Sequence, residues 1–233
     1  MKKAFTLSEV LITLGIIGVV AALVMPALIS NYKKNLTVTR LKETYSMLKQ
    51  AVEMSEVQNG EVKDWNYSVC STGEKCFEQY LKPYLKVVKK ESMNTIWKRA
   101  TFLELSGAQE QGLMMMRPAN GVAYTLANGA VLFTYNSAVS NNTLSMSVDI
   151  DGIKPVNQFG KDMFQYVLSP KYGLVPQGYM DTSTEESFGD YDRTKILNGV
   201  NSYRYGCNKK LRGTWCTALI MVDGWKISPD YPW

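Results

Sequence analysis

The sequence predicts an α+β protein in which a long N-terminal helix packs against an antiparallel β-sheet. The first observation is an almost wholly apolar run from Val10 to Ile29. A helix needs about 20 such residues to cross a bilayer. The second is a stripe of apolar residues at helical spacing between Leu41 and Val52, with charged residues between them. The third is the alternation of apolar and polar residues after Gly121, which is typical of strands.

Composition and charge limit the classes of function. The 233 residues are 45% hydrophobic, enough for one sizeable core and, by length, one or two domains. The net charge of +5 is small and the basic residues fall in pairs, so the charge does not favour nucleic acid as a partner. There is no histidine, the commonest general base and metal ligand, which argues against an enzyme.

The first 30 residues differ from an ordinary secretory signal peptide. Lys2 and Lys3 precede the apolar run, as in such a peptide, but the run is longer than usual and lacks a small-residue cleavage site before a polar mature start. Glu9 lies at the edge of the run, where a carboxylate is costly in a membrane. A charge at this position therefore predicts a specific partner.

Proteolysis could generate that partner. Cleavage between Ala4 and Phe5 would place a new α-amino group one helical turn from Glu9. In a filament, this amine would neutralise the Glu9 carboxylate of a neighbouring subunit. Because a buried charge without its partner is strongly penalised, the pair would set the axial register between subunits.

Residues 2–12, KKAFTLSEVLI, resemble the leader and first helical turns of the type IV pilin and type II secretion pseudopilin family. In this family, a membrane peptidase removes the leader and the new N-terminus is methylated. The resemblance implies cleavage after Ala4, methylation of Phe5 and an assembly role for Glu9. Pro26 matches a proline that is common in this helix, where it kinks or locally melts it.

The resemblance also implies a division of the chain. We expect four segments: a leader peptide at 1–4, the transmembrane and assembly half of the helix at 5–30, its amphipathic half at 31–58, and a globular pilin-like head at 59–233. Asn59-Gly60 supplies the stop signal of the helix. A long helix followed by an antiparallel sheet is the order expected of a pilin.

The sheet prediction begins with a hairpin. Val122–Leu126 and Ala130–Tyr135 flank Asn128-Gly129, a pair suited to a type I′ turn. Residues 144–150 alternate apolar and polar side chains and predict a third antiparallel strand. Residues 61–120 show no clear pattern beyond a short helix or turn near Pro83.

The four cysteines fall in two close pairs, Cys70/Cys76 and Cys207/Cys216, and permit three pairings among which the sequence does not choose. In an exported chain, two local disulfides are the simplest interpretation. A zinc site built from all four thiolates is the alternative, but the spacings of five and eight intervening residues fit its usual knuckles poorly. The family resemblance adds that Cys207–Cys216 would match the disulfide-bounded loop near a pilin C-terminus.

One acidic segment is a weak candidate for calcium. Asp149, Asp151, Asn157 and Asp162 supply the oxygen ligands that calcium prefers, and some pseudopilins hold calcium in distal loops. The segment is not an EF-hand, since Ile153 occupies the fifth position of the loop. The alternative, which we favour, is a turn in which Asp side chains cap backbone N–H groups, and we expect no cofactor.

We therefore expect a structural subunit of a type IV pilus or type II secretion filament. The head of about 175 residues slightly favours a minor subunit. Expected partners are other pilin-like subunits, prepilin peptidase, lipid of the cytoplasmic membrane, and an assembly platform with its ATPase. The chain would span that membrane once and then enter a periplasmic or cell-surface filament. The alternatives are a membrane-tethered exported enzyme and a filament-tip adhesin or DNA-capture module.

Overall fold

The structure is a computed structural model that describes residues 6–67, 70–110, 116–117, 119, 121–135, 142–179, 192–199 and 204–233. The chain divides into two compact units, Met1–Leu36 and Thr37–Trp233. The segment boundaries predicted after residues 4, 30 and 58 stay predictions.

The first helix, α1, extends over Leu7–Asn59 and includes Pro26. It ends at Asn59, because Gly60 takes a left-handed φ of +80° that stops helical hydrogen bonding. Within its first part, the large apolar side chains from Leu7 to Ile29 are 42–77% exposed. The helix contains an 18-residue window with a mean hydropathy of 2.6, and by length and composition it is apolar enough to cross a membrane.

The later part of α1 has the predicted apolar stripe. Leu41, Leu48 and Val52 are buried, and Tyr45 is partly buried beside them. Their side chains belong to the same core as the inward-facing residues of the sheet. The amphipathic half of the helix is thus the support on which the head folds.

In the described residues, six strands form an antiparallel sheet in the order β1-β3-β4-β5-β7-β8. Their bounds are Val87–Ser92 (β1), Gly121–Leu126 (β3), Val131–Tyr135 (β4), Leu144–Asp149 (β5), Met163–Ser169 (β7) and Gly173–Pro176 (β8). A separate parallel pair joins β2 (Thr101–Leu103) to β6 (Val156–Gln158). The α+β class, with a long helix packed on an antiparallel sheet, is therefore confirmed.

The turn of the predicted hairpin differs from the type I′ geometry that Asn-Gly favours. Type I′ needs positive φ at both central residues, whereas Gly129 has φ +89° and Asn128 is not among the residues with positive φ. Gly129 N–H donates to the Leu126 carbonyl at 2.9 Å, which closes a three-residue loop ending in a left-handed glycine. The Asn128 side chain donates instead to Glu43 of α1 at 3.2 Å, so the turn is tied to the helix.

Both faces of the large sheet are covered. On one face, Tyr124, Met146 and Tyr166 pack in the core that includes α1. On the other, Phe133 and Met163 pack in a second apolar cluster. That second cluster also includes Met93 and Ile96 from the segment before β2, Phe102 of β2 itself, and Phe159 directly after β6.

The described residues also contain short helices around the sheet: α2 (Gly73–Tyr80), α3 (Met93–Ile96), α4 (Arg193–Asn198) and α5 (Cys216–Val222), with 3-10 turns at Val62–Asp64 and Lys82–Tyr84. Helix α5 joins the C-terminal region to the sheet, because the Thr217 hydroxyl accepts the Gln165 N–H of β7 at 3.0 Å.

Candidate functional site

The start of α1 holds the candidate assembly site. Ala4 and Phe5, the predicted cleavage and methylation residues, lie outside the described residues. Thr6 precedes the helix and Glu9 lies in its first turn. The Thr6 N–H and hydroxyl both donate to Glu9 Oε2 at 2.8 Å, and Glu9 N–H donates to the Thr6 hydroxyl oxygen at 3.3 Å. This reciprocal arrangement is a capping box.

The capping box fixes the position of the Glu9 carboxylate. Both Thr6 donors bind Oε2, which leaves Oε1 to accept from another group. The carboxylate also lies at the positive end of the helix dipole, which favours a negative charge there. Thr6 is a site residue that we did not predict, although the T-x-x-E pattern that signals this motif is present at residues 6–9.

The surface that follows Glu9 is apolar and uncovered within the described chain. Leu11, Ile12 and Leu14 are about 60% exposed, and Ile17 and Leu23 are exposed to a similar or greater extent. A continuous apolar surface of this size is suited to contact with lipid or with other helices. The site thus combines one fixed carboxylate with a helix surface suited to membrane or filament interior.

The acidic segment of β5 and its following loop contains several hydrogen bonds between side chains and the backbone. Asp149 Oδ1 accepts from Asp151 N–H at 3.1 Å, and Asp162 Oδ1 accepts from Gln158 N–H at 2.6 Å. The Asn157 side chain bonds the Lys154 backbone in both directions at 2.9 Å. These are the capping bonds that the turn alternative predicts.

No group of three or more His, Cys, Asp or Glu side chains among the described residues is placed to hold a metal ion. The weak calcium prediction stays untested. Asp151 instead pairs with Lys154 and with Arg40 of α1, the latter at 3.2 Å. The acidic loop is therefore tied to the helix by charge.

Two carboxyl groups in this region have strongly raised pKa values. Burial, followed by the charge of Asp162, raises the pKa of Asp149 to about 8. Burial also raises the pKa of Asp162 to about 6. Asp149 is fully buried, and its Oδ2 has no hydrogen-bond partner among the described residues. Because a substrate could not reach this carboxyl, Asp149 is poorly placed for the acid–base chemistry that the enzyme alternative needs.

The C-terminal cysteines form the predicted disulfide. Cys207 and Cys216, nine residues apart, are bonded at an S–S distance of 1.97 Å. Cys70 and Cys76 are not bonded to each other in the structure, and their buried side chains are in hydrogen-bond contact. The disulfide predicted between them stays a prediction.

A buried charge network lies beside the Cys207–Cys216 loop. Arg212 Nε lies 3.2 Å from Glu104 Oε1 and 3.1 Å from Glu110 Oε2. Glu110 is fully buried and Glu104 is 6% exposed. Arg212 therefore pairs with two carboxylates, of which Glu104 also pairs with Arg204 at 3.6 Å, and this network holds the loop against the segment after β2.

Comparison with known families divides the chain in two. A family model described as the prokaryotic N-terminal methylation motif matches residues 1–25. A second, described as a family of unknown function (DUF6613), matches residues 27–233. No curated protein and no solved structure matches the chain.

Proposed function

The chain belongs to the family of unknown function DUF6613 and begins with a prokaryotic N-terminal methylation motif, and from this premise we propose that it is a minor, pilin-like subunit of a type IV pilus or type II secretion filament. The observation that supports this most strongly is the coincidence of the methylation motif with an exposed apolar helix and a fixed carboxylate at its start. A secretory signal needs no such carboxylate.

The proposed mechanism is assembly. Prepilin peptidase cleaves after Ala4, and the amino group of Phe5 is methylated. The subunit stays in the cytoplasmic membrane through the apolar part of α1 until the assembly platform and its ATPase extract it. In the filament, apolar helices of neighbouring subunits then cover one another, which replaces the lipid around them.

Within this mechanism, Glu9 sets the register. The capping box holds the carboxylate at the helix start before any neighbour arrives. The methylated amine of Phe5 on the next subunit is then its charge partner. A subunit displaced along the axis would bury an unpaired carboxylate, so the aligned arrangement is favoured by several kcal/mol, on the order of 3–5.

The test compares variants for incorporation into sheared filaments, measured against the amount of subunit in the membrane. We expect Glu9→Gln to insert and to be cleaved normally but to enter filaments roughly tenfold less or worse, because the charge is gone. Glu53→Gln is the matched control, since it makes the same change on an exposed side chain of the same helix. Equal incorporation of Glu9→Gln and Glu53→Gln would show that Glu9 does not select the register.

Thr6→Val separates the charge from its positioning. This variant keeps Glu9 but removes the hydroxyl that donates to it and accepts its N–H. Loss of a capping hydroxyl costs about 1 kcal/mol, so we expect incorporation between wild type and Glu9→Gln. If the Thr6→Val subunit assembled like wild type, the capping box would serve only to start the helix and would have no role in assembly.

A further inference from the structure

We propose that Cys70 and Cys76 are a site of oxidative modification, joined as a second disulfide before the head closes around them. This inference rests on the proposed function, because that function places the head on the oxidising side of the membrane. It goes beyond the predicted pairing by assigning the time at which the bond must form.

The first argument is the contact between the two thiols. Cys76 lies within α2, and Cys70 lies three residues before the start of that helix. Their side chains are in hydrogen-bond contact in the folded head, so no rearrangement of the chain is needed to bring the two sulfur atoms together. The start of α2 is itself fixed, because Thr72 caps it through Lys75 N–H at 3.2 Å. The folded head therefore presents the two sulfur atoms to each other.

The second argument is the packing of α2 on the sheet. A Cβ atom added at Gly73 would lie 3.0 Å from the Tyr135 carbonyl oxygen, so the helix start lies directly on β4. One turn later, the Phe77 ring packs on Tyr124 with centroids 4.6 Å apart. These contacts enclose the thiols, and Cys70 and Cys76 are each only 1% exposed.

The third argument concerns reactivity. Disulfide exchange needs a thiolate that an oxidant can reach. The hydrogen bond with Cys70 and burial both raise the pKa of the Cys76 thiol well above its ordinary value. The same hydrogen bond lowers the pKa of Cys70, but in the closed head both thiols are buried out of reach of an oxidant and Cys76 stays protonated. Oxidation is therefore fast only while the segment is open.

The chemistry requires an oxidant, which we take to be a disulfide of a thiol-exchange protein or of a small molecule. One cysteine thiolate attacks that disulfide, forms a mixed disulfide and releases one thiol. The second cysteine thiolate attacks the mixed disulfide, forms Cys70–Cys76 and releases the other thiol. The pair loses two electrons and two protons, and both go to the reduced oxidant.

The test counts free thiols in the full chain purified from membranes in detergent. The protein is unfolded in denaturant with N-ethylmaleimide and without reductant, and its intact mass is measured. We expect no adduct, and four after reduction, one for each cysteine. Lys75 lies between the two cysteines, so trypsin should release residues 64–75 and 76–86 as one disulfide-linked species. Two adducts on Cys70 and Cys76 would overturn the proposal.

Variants and a refolding arm test the order of events. Cys76→Ser leaves Cys70 without its partner, and we expect one adduct on Cys70 before reduction. For the order, fully reduced wild type is exposed to oxidised glutathione either in denaturant or after refolding. We expect Cys70–Cys76 to form at least about tenfold faster in denaturant. Equal rates would refute formation before closure.

The oxidation state of Cys207 and Cys216 shows whether a negative result contradicts the second disulfide alone or the proposed function as well. If Cys207–Cys216 is oxidised and the chain starts at Phe5 but Cys70 and Cys76 are free, the second disulfide is wrong and the filament function stands. If all four thiols are free and the leader is uncleaved, the export premise fails, and this proposal is overturned with it.

Discussion

Replacing Asp149 by Asn should remove the main pH dependence of the stability of the head near neutral pH. Asp149 is fully buried at the end of β5, and its Oδ1 accepts the Asp151 N–H. Asn has the same shape and keeps that acceptor. It also has no charge to bury, so the substitution removes the titration while preserving the turn.

The sign follows from the number of protons bound. With a pKa of about 8, Asp149 is protonated in the folded head at neutral pH, whereas in the unfolded chain it is ionised above about pH 4. The folded state thus binds more protons, and the free energy of unfolding falls as pH rises, by about 1.4 kcal/mol per pH unit. Burial also raises the pKa of Asp162, to about 6, so its contribution is largely complete by that pH.

Between pH 6 and 7.5, the change in the free energy of unfolding reports mainly on the titration of Asp149. The chain contains no histidine, so no imidazole titrates in this window. Across it, the wild-type protein should lose roughly 2 kcal/mol of unfolding free energy. All five tryptophans lie beyond residue 60, so guanidinium unfolding followed by tryptophan fluorescence in detergent reports on the head. We expect Asp149→Asn to be nearly flat over the same range and more stable than wild type at pH 7.5.

Asp230→Asn is the control for this measurement. A hydrogen bond from Arg193 holds the pKa of Asp230 below its usual range, so this group is ionised in both states above pH 6. Its variant should keep the wild-type slope. If Asp149→Asn kept that slope as well, Asp149 would not be the buried proton and the reasoning would be refuted.

Two further substitutions test the C-terminal region, both by guanidinium unfolding. Replacing Cys207 and Cys216 together by Ser should lower the unfolding free energy by about 2.5 kcal/mol, which is the loop-closure entropy expected for nine residues. A loss below ~0.5 kcal/mol would contradict loop closure as the source of the stabilisation. Arg212→Met should cost about 3–5 kcal/mol because it removes the cation that the buried Glu104 and Glu110 share and leaves only the exposed Arg204, 3.6 Å from Glu104. Arg212→Lys should recover part of the loss. An Arg212→Met protein as stable as wild type would mean that water or another cation compensates the two carboxylates.

Much of the helix and the central sheet could be predicted because their signals are local. The apolar stripe from Leu41 to Val52 and the stop at Gly60 depend on residues within a few turns. The strand β5 was predicted for the same reason. What alternation could not reveal is that Ser147 and Asp149 are buried on the second face of the sheet. The residues that enclose that face are distant in sequence.

Many of the side chains that cover that second face belong to residues 61–120, for which the sequence showed no clear pattern. Phe102 lies in a three-residue strand that pairs in parallel with β6, more than fifty residues later. Strands this short leave no periodic pattern, and their pairing depends on chain-distant partners. At the candidate site, Glu9 was predicted from its cost in an apolar run. Thr6 was not, because its role depends on local hydrogen bonds to Glu9 and not on a charge in the apolar run.

Mass spectrometry of the mature N-terminus tests the central claim most directly. The protein should be isolated from its native membrane or from sheared filaments, and its N-terminal peptide should be sequenced. A filament subunit of the pilin-like kind must begin at N-methylated Phe5, with residues 1–4 absent and Glu9 retained four positions later. A chain that begins at Met1, or one cut beyond residue 20 as a secretory signal would be, would contradict the account.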